Sequence, residues 1–311
     1  MNASKLNPLE VITTEVQQEL VAINQLILGM AESHVQLVTE ITKHITTAGG
    51  KRIRPILTLL CGRLIELTKH EGTIQLATAV ELIHTATLLH DDVIDESSLR
   101  RGVKTANVLW GNKPSILVGD YLLSHAFHLM VQAGSLEALG LLSQASIKIT
   151  ESEIWQLDLI GKLTISFEDY ITLIRGKTAE LFGAACASPT YLSIKTTPLA
   201  DDLYEFGINM GILFQLIDDT LDYSASNKSF GKQTGSDLLE RKITLPLILL
   251  YQGADDSDKT LIANTLTASE IDVTLIQQLL KKYDCIAKCA QSCLSYYNKC
   301  LDGLSTLPQN H

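Results

Sequence analysis

The chain has 311 residues, 46% of them hydrophobic and 19% charged, with a formal net charge of −10. That apolar content suffices for a large core and excludes a disordered chain, while length alone allows one domain or two. The acidic balance argues against nucleic acid as a partner. Sparse proline, and Asp302-Gly303 as the lone Asn-Gly or Asp-Gly pair, favour an all-α protein.

Pro8 to Gly29 and Glu32 to Ala48 carry apolar positions at helical spacing and predict two N-terminal helices. Met1 to Glu10 lacks the basic region and apolar run of a secretory signal, and the six cysteines are expected as reduced thiols in the cytoplasm. Gly49-Gly50-Lys51-Arg52-Ile53-Arg54-Pro55 then breaks the period and opens a helix with proline in its first turn. Helix-start amides beside Lys51, Arg52 and Arg54 suit an anion; a solvated basic turn is the alternative.

Thr73 to Asp95 predicts a long apolar helix that ends in Asp91, Asp92 and Asp95, followed by Arg100 and Arg101. Positions i and i+4 share a helix face, so Asp91 and Asp95 point the same way, with Asp92 about 100° around. The apolar surroundings make the cluster internal, and internal carboxylates need a cation. Oxygen ligands favour Mg²⁺ over Zn²⁺. Read alone, the stretch could equally be an acidic helix end in water.

Pro114 to Ala133 predicts the next helix, with Gly119-Asp120-Tyr121 inside it. Tyr121 to Leu136 has no Asp, Glu, Lys or Arg, but His125, His128 and Gln132 make it too polar for a membrane span. Helices follow over Leu136 to Ile160 and Phe167 to Ala187. The second carries Lys177-Thr178 between apolar neighbours, its lysine head either snorkelling to water or reaching into a cleft. Leu199 to Tyr223 holds a second pentad, Asp218-Asp219-Thr-Leu-Asp222, after Gln215. Two such pentads predict two helix faces looking at each other across a cleft. With Arg100 and Arg101 after the first, and Lys232 and Lys242 after the second, the set suits a very anionic ligand such as a diphosphate.

Ser224 to Glu240 predicts a polar loop, Thr244 to Gln252 a helix, and Asp256 to Leu304 two or three shorter amphipathic helices. Cys285, Cys289 and Cys293 recur on one helical face with no Cys-x-x-Cys pair or nearby histidine, which favours packing over metal binding. No linker is visible, so residues 1–311 are expected to form one domain.

These motifs, in this order and over most of the chain, resemble the trans-isoprenyl diphosphate synthases of the polyprenyl synthetase family. The match rests on Gly49 to Pro55, His84 to Gly102, Gly119-Asp120-Tyr121, Lys177-Thr178, Gly211 through Gln215 to Asp222, and Gly231-Lys232 with Gly235, Asp237 and Leu238. The resemblance implies an all-α bundle around a deep central cavity and a homodimer with no membrane span, a peripheral contact serving product release. It also implies Mg²⁺ and head-to-tail condensation of isopentenyl diphosphate with an allylic diphosphate. The six pentad aspartates would hold the metal. Arg100, Lys177 and Lys232 would contact the allylic diphosphate, and Lys242 would be a further substrate-binding residue. Lys51, Arg52, Arg54, His84 and Arg101 would hold isopentenyl diphosphate. The Thr178 hydroxyl and Gln215 amide would face the allylic cation with weak dipoles.

The same resemblance bears on product length. A bulky aromatic near the fifth residue before the first aspartate closes the tunnel early in the family, and here Ala86 stands there, with no insertion in the first pentad. Both features imply a long product, most like those of octaprenyl and decaprenyl diphosphate synthases that serve quinone side chains. Phe127 and Met130 are candidate floor residues, unless they are ordinary core. Three departures stand out. Arg241 replaces a usual glycine, a change expected to alter the loop while leaving Lys242 in place; Ser152 and Trp155 replace a frequent glycine and leucine; and the chain stops at His311 where relatives usually continue, as either a shortened form or a truncated one, which leaves the completeness of the C-terminal cover open. A farnesyl or geranylgeranyl synthase is the nearest rival. A class I terpene cyclase would leave Lys51, Arg52 and Arg54 idle, and a non-catalytic partner subunit would be expected to lose pentad aspartates.

Overall fold

The computed structural model describes residues 7–67, 71–193, 195, 197–223 and 235–307. The fold is all-α. In chain order the helices are α1 (Pro8–Glu15), α2 (Gln17–Ala31), α3 (Gln36–Thr47), α4 (Ile53–Leu64), α5 (Glu71–Ile94), α6 (Ala106–Trp110), α7 (Asn112–Gln132), α8 (Leu136–Leu159), α9 (Phe167–Ile174) and α10 (Glu180–Ala187). Then come α11 (Ala200–Asp222), α12 (Ser236–Leu239), α13 (Leu245–Gly253), α14 (Asp256–Thr267), α15 (Val273–Lys282) and α16 (Cys285–Thr306). Two compact units are distinguished. The first takes in the chain up to Gln144 and Leu181–Tyr204; the second takes in Ala145–Glu180 and Glu205–Thr306.

In the first unit α5 is the central helix. Leu76, Ala79, Val80, Leu82, Ile83, Ala86 and Leu89 are all buried, a burial too broad for one amphipathic stripe. It packs chiefly on α7, whose Val118, Leu122, Ala126 and Leu129 form a buried stripe at helical spacing. Gly119 makes that packing close, since a Cβ there would run into the His90 ring. Truncating a buried leucine such as Leu82 to alanine would cost about 2–5 kcal/mol.

The second unit packs α13 on α16, α15 and α9. Leu245, Leu247, Ile248 and Leu250 meet a core that includes Ile276, Leu279, Cys285 and Cys289. All six cysteines are free, and burial pushes the Cys289 thiol up to about 12. Unpaired and with its thiol protonated, it behaves as a small apolar side chain.

Four local features differ from expectation. The first N-terminal helix divides at Val16. The Thr13 and Thr14 hydroxyls donate to the Leu9 and Glu10 carbonyls, a bonding that bends helices, and Val16 is fully buried at the break. Leu99–Arg100 and Val103–Lys104 pair as an antiparallel ribbon with register Leu99↔Lys104. Its two-residue turn, Arg101-Gly102, has φ of 52° and 77°, the positive pair that a type I′ turn needs. Between α9 and α10, Arg175–Ala179 forms a π-helical turn. Finally, a short helix, α12, lies in the segment expected to be loop, whose residues 224–234 fall outside the described set.

Candidate active site

In the first unit the left-handed Arg52 (φ 49°) precedes α4, and Arg54 lies in the helix's first turn. Arg52 pairs with Glu81 of α5. The Arg54 guanidinium stacks over Phe182 with 4.4 Å to the ring centroid, while its Nε is buried without a partner. Burial lowers Arg54 to about 10, against the pull of Glu81, so it stays charged near neutrality. Gly49, Arg52, Glu81, His84, Arg100 and Arg101 line a cavity of about 20 Å³. Gly50 lets Arg101 come near, since a Cβ there would stand 2.9 Å from its Nη1. Burial, then the Arg54, Arg101, Arg100 and Arg52 charges, hold His84 well below its usual 6.5. A neutral imidazole thus sits among guanidiniums, a setting for an anion. Lys51 is exposed in the same turn.

The first pentad is not a uniform row. Asp91 and Asp95 are half-buried, whereas Asp92 is 1% exposed. Asp92 Oδ1 accepts a 2.8 Å hydrogen bond from Arg100 Nε and ion-pairs with its Nη2 at 2.8 Å, and the first strand of the ribbon carries that arginine. Its Oδ2 is buried without a partner, and burial raises the carboxyl despite Arg100.

In the second unit Lys177 and Thr178 ride on the π turn. A Cβ at Gly176 would overlap the Ser152 hydroxyl of α8, so the glycine is required by close approach. Such turns are frequent at functional sites. Lys177 Nζ meets Glu153 at 2.9 Å and Gln156 Oε1 at 2.6 Å. Thr178 Oγ1 donates to Gln215 Oε1 (2.8 Å), and Gln215 Nε2 donates to Asp219 Oδ1 (2.6 Å). Tyr170 Oη donates to Asp219 Oδ2 (2.6 Å). Asp222 accepts from Ser236 Oγ (2.8 Å) and from the Asp237 amide (3.0 Å). Asp218 is exposed. Burial raises Asp219 to about 6, even with the Tyr170 and Gln215 bonds and Lys177 opposing. Burial, then Asp219 and Asp222, push Asp237 well above the carboxylate range.

Taken unit by unit, the donors suit a hard divalent cation: both sets are all oxygen, Asp92 of the first keeps an orphaned buried carboxylate oxygen, and in the second Asp219 and Asp222 raise Asp237. Among the described residues no three His, Cys, Asp or Glu are gathered as a complete metal group. Mg²⁺ is usually held by one or two carboxylates plus substrate phosphates.

Lys242 pairs with Glu240 at 2.7 Å. Before it, Arg241 adopts φ 56°, the left-handed conformation that suits glycine, and donates to the Leu266 and Ala268 carbonyls at 3.0 and 2.9 Å. Lys232 lies outside the described residues. Ala86 is buried on α5 and Met130 on α7, but Phe127 is 39% exposed and shares no buried face with them. Sequence reasoning missed Glu81, Tyr170 and Gly176 as site residues. Glu81, an acid inside an apolar helix, was the one with a readable signal, since buried charges need partners.

The polyprenyl synthetase family pattern matches residues 35–283. The octaprenyl diphosphate synthase of Escherichia coli (strain K12) is 42% identical over 250 residues, 80% of this chain and 75% of that protein. A decaprenyl diphosphate synthase from Rhodobacter capsulatus has a crystal structure with TM-score 0.90 and 35% identity, covering 97% of this chain and 94% of that one. A polyprenyl synthase from Caulobacter crescentus CB15, solved with calcium and isoprenyl diphosphate, gives TM-score 0.91 and 34% identity, covering 98% and 94%.

Proposed function

Because the chain belongs to the polyprenyl synthetase family, we propose that it condenses isopentenyl diphosphate with an allylic diphosphate, head to tail, into a long-chain all-trans polyprenyl diphosphate. The observation that carries this reading is the Thr178–Gln215–Asp219 chain of hydrogen bonds at the end of a carboxylate-rich helix. Thr178 has spent its proton on Gln215. What its oxygen has left to offer is lone pairs, which stabilise a carbocation without abstracting a proton from it.

The rest of the reading assigns work to each group. Arg52, Arg54 and Arg101 bind the isopentenyl diphosphate, and neutral His84 adds a hydrogen bond without a charge. Lys51 adds a further cation from the exposed turn. Arg100, Lys177, Lys232 and Lys242 bind the allylic diphosphate. Asp91, Asp92, Asp95, Asp218, Asp219 and Asp222 are the residues that would hold Mg²⁺. When bound, it neutralises the departing diphosphate as a Lewis acid. The allylic carbon–oxygen bond breaks, the isopentenyl double bond adds to the freed carbon, and the released diphosphate takes the departing proton. The apolar neighbours of Thr178 keep water from the cation. The Caulobacter relative, solved with calcium and isoprenyl diphosphate, pairs a hard ion with a diphosphate in the same way.

The same reading makes the chain a single-domain cytoplasmic enzyme. Leu117 and Val131, 66% and 64% exposed on α7, offer an apolar face to a second copy in a homodimer. No helix among the described residues is long and apolar enough to cross a membrane, and product release would use a peripheral contact. The test is incorporation of labelled isopentenyl diphosphate into lipid extract by the purified chain with Mg²⁺ and an allylic diphosphate. Incorporation lost with EDTA and in Asp218→Ala supports the reading. A chain that consumes the allylic diphosphate alone is a cyclase, and one that consumes neither is a partner subunit or something else.

A further inference from the structure

We propose that Tyr170 is a positioning residue, acting through Asp219 to fix the orientation of the Gln215 amide and the Thr178 hydroxyl. The inference rests on the reading above and deepens it. Tyr170 comes from α9, is 1% exposed, and gives its hydroxyl proton to Asp219 Oδ2 at 2.6 Å. The α9 start is pinned by a reciprocal cap in which Ser166 and Asp169 bond each other's backbone amides. Asp219 thus receives one donor on each oxygen, Tyr170 on Oδ2 and Gln215 Nε2 on Oδ1.

A carboxylate accepts and does not donate, so it can face only the nitrogen end of the Gln215 amide. The oxygen end is thereby turned to Thr178, which must donate to it. The order Tyr170→Asp219←Gln215←Thr178 has one direction, and it leaves the threonine oxygen as an acceptor only. Without the tyrosine hydroxyl, Asp219 is held on one side and its carboxylate can rotate. The Gln215 amide can then turn over and give an N–H to Thr178, which occupies one of the two oxygen lone pairs and frees the hydroxyl proton to point toward the cation. The step affected is breakage of the allylic carbon–oxygen bond with cation formation, not substrate binding.

Steady-state kinetics of the full-length Tyr170→Phe, Thr178→Ala and double variants test this, beside side-chain amide NMR of Gln215 in ¹⁵N-labelled wild type and Tyr170→Phe. Tyr170→Phe should lower kcat by about ten- to a hundredfold. KM for both diphosphates should stay within about twofold. In the Thr178→Ala background the same change should cost less than about threefold. The Gln215 amide protons should exchange slowly in wild type and faster in the variant. A KM rise with unchanged kcat, a full additional loss in the double variant, or unchanged amide exchange would overturn the positioning role. A wild-type chain that condenses nothing overturns the proposed function and, with it, the catalytic meaning of the chain. The amide exchange would then still decide whether Tyr170 fixes Gln215.

Discussion

Adding one methyl at Gly176 probes the site more sharply than removing a charge. The new Cβ would overlap the Ser152 hydroxyl and stand 3.2 Å from both Ser152 Cβ and the Lys148 carbonyl oxygen, where ordinary contact starts at 3.4 Å. The hydroxyl can rotate away. The Cβ and the carbonyl belong to α8 and cannot, so the π turn must withdraw by a few tenths of an ångström, taking Lys177 and Thr178 with it. Overpacking of this kind costs about 1–3 kcal/mol of stability. Since a 1 Å misplacement costs up to about a hundredfold, this smaller shift should cost about tenfold in kcat, or about 1.4 kcal/mol. The assay is kcat for isopentenyl incorporation, with thermal melts, for Gly176→Ala, Ser152→Gly and the double variant. Ser152→Gly removes both the hydroxyl and the Cβ at a helix cost of about 1 kcal/mol. The double variant should recover part of the lost turnover, since the Ser152 contacts are gone and the 3.2 Å contact with the Lys148 carbonyl remains. A Gly176→Ala enzyme with wild-type kcat, or losses that simply add, would refute the reasoning.

Further predictions concern substrate, pH and product. Arg54→Ala should raise KM for isopentenyl diphosphate by about tenfold or more, loss of one charge-assisted contact, and barely change it for the allylic substrate; equal changes in both would point to a folding role. His84 is neutral in the folded protein but protonates near its usual 6.5 when unfolded. Below pH 6.5 the unfolded chain therefore binds the extra proton, and stability should fall by up to about 1.4 kcal/mol per pH unit, with no contribution above it. Urea midpoints across that range should show a shallower slope in His84→Asn, and an unchanged slope would exclude this linkage. Ala86→Tyr should shorten the product and Met130→Ala should lengthen or broaden it, read by chromatography after dephosphorylation. Unchanged length in both would remove these positions from length control.

The sequence made the helices, both pentads and the basic turn legible because each is local: periodicity and i, i+4 spacing need no partner from elsewhere. The division of labour inside the pentads was not legible. Asp92 turns to Arg100 across a ribbon whose Arg101-Gly102 turn lacks the Asn-Gly or Asp-Gly signature. Asp219 is met by Tyr170, 49 residues away. The π turn at Lys177-Thr178 coincides with Gly176 closing on Ser152, a tertiary contact, and helix-forming residues alone read as an unbroken α-helix there. Arg241 is instructive in the other direction. As a departure from glycine it looked like a change to the loop, yet it keeps the left-handed backbone and adds two hydrogen bonds to the end of α14.

The most direct test of the account is the length of what the wild-type chain makes. Purified protein is given Mg²⁺, labelled isopentenyl diphosphate and farnesyl diphosphate, and the dephosphorylated products are resolved by reversed-phase chromatography. The account predicts a main product in the heptaprenyl to decaprenyl range. A main product at farnesol or geranylgeraniol, or no elongation at all, would contradict it.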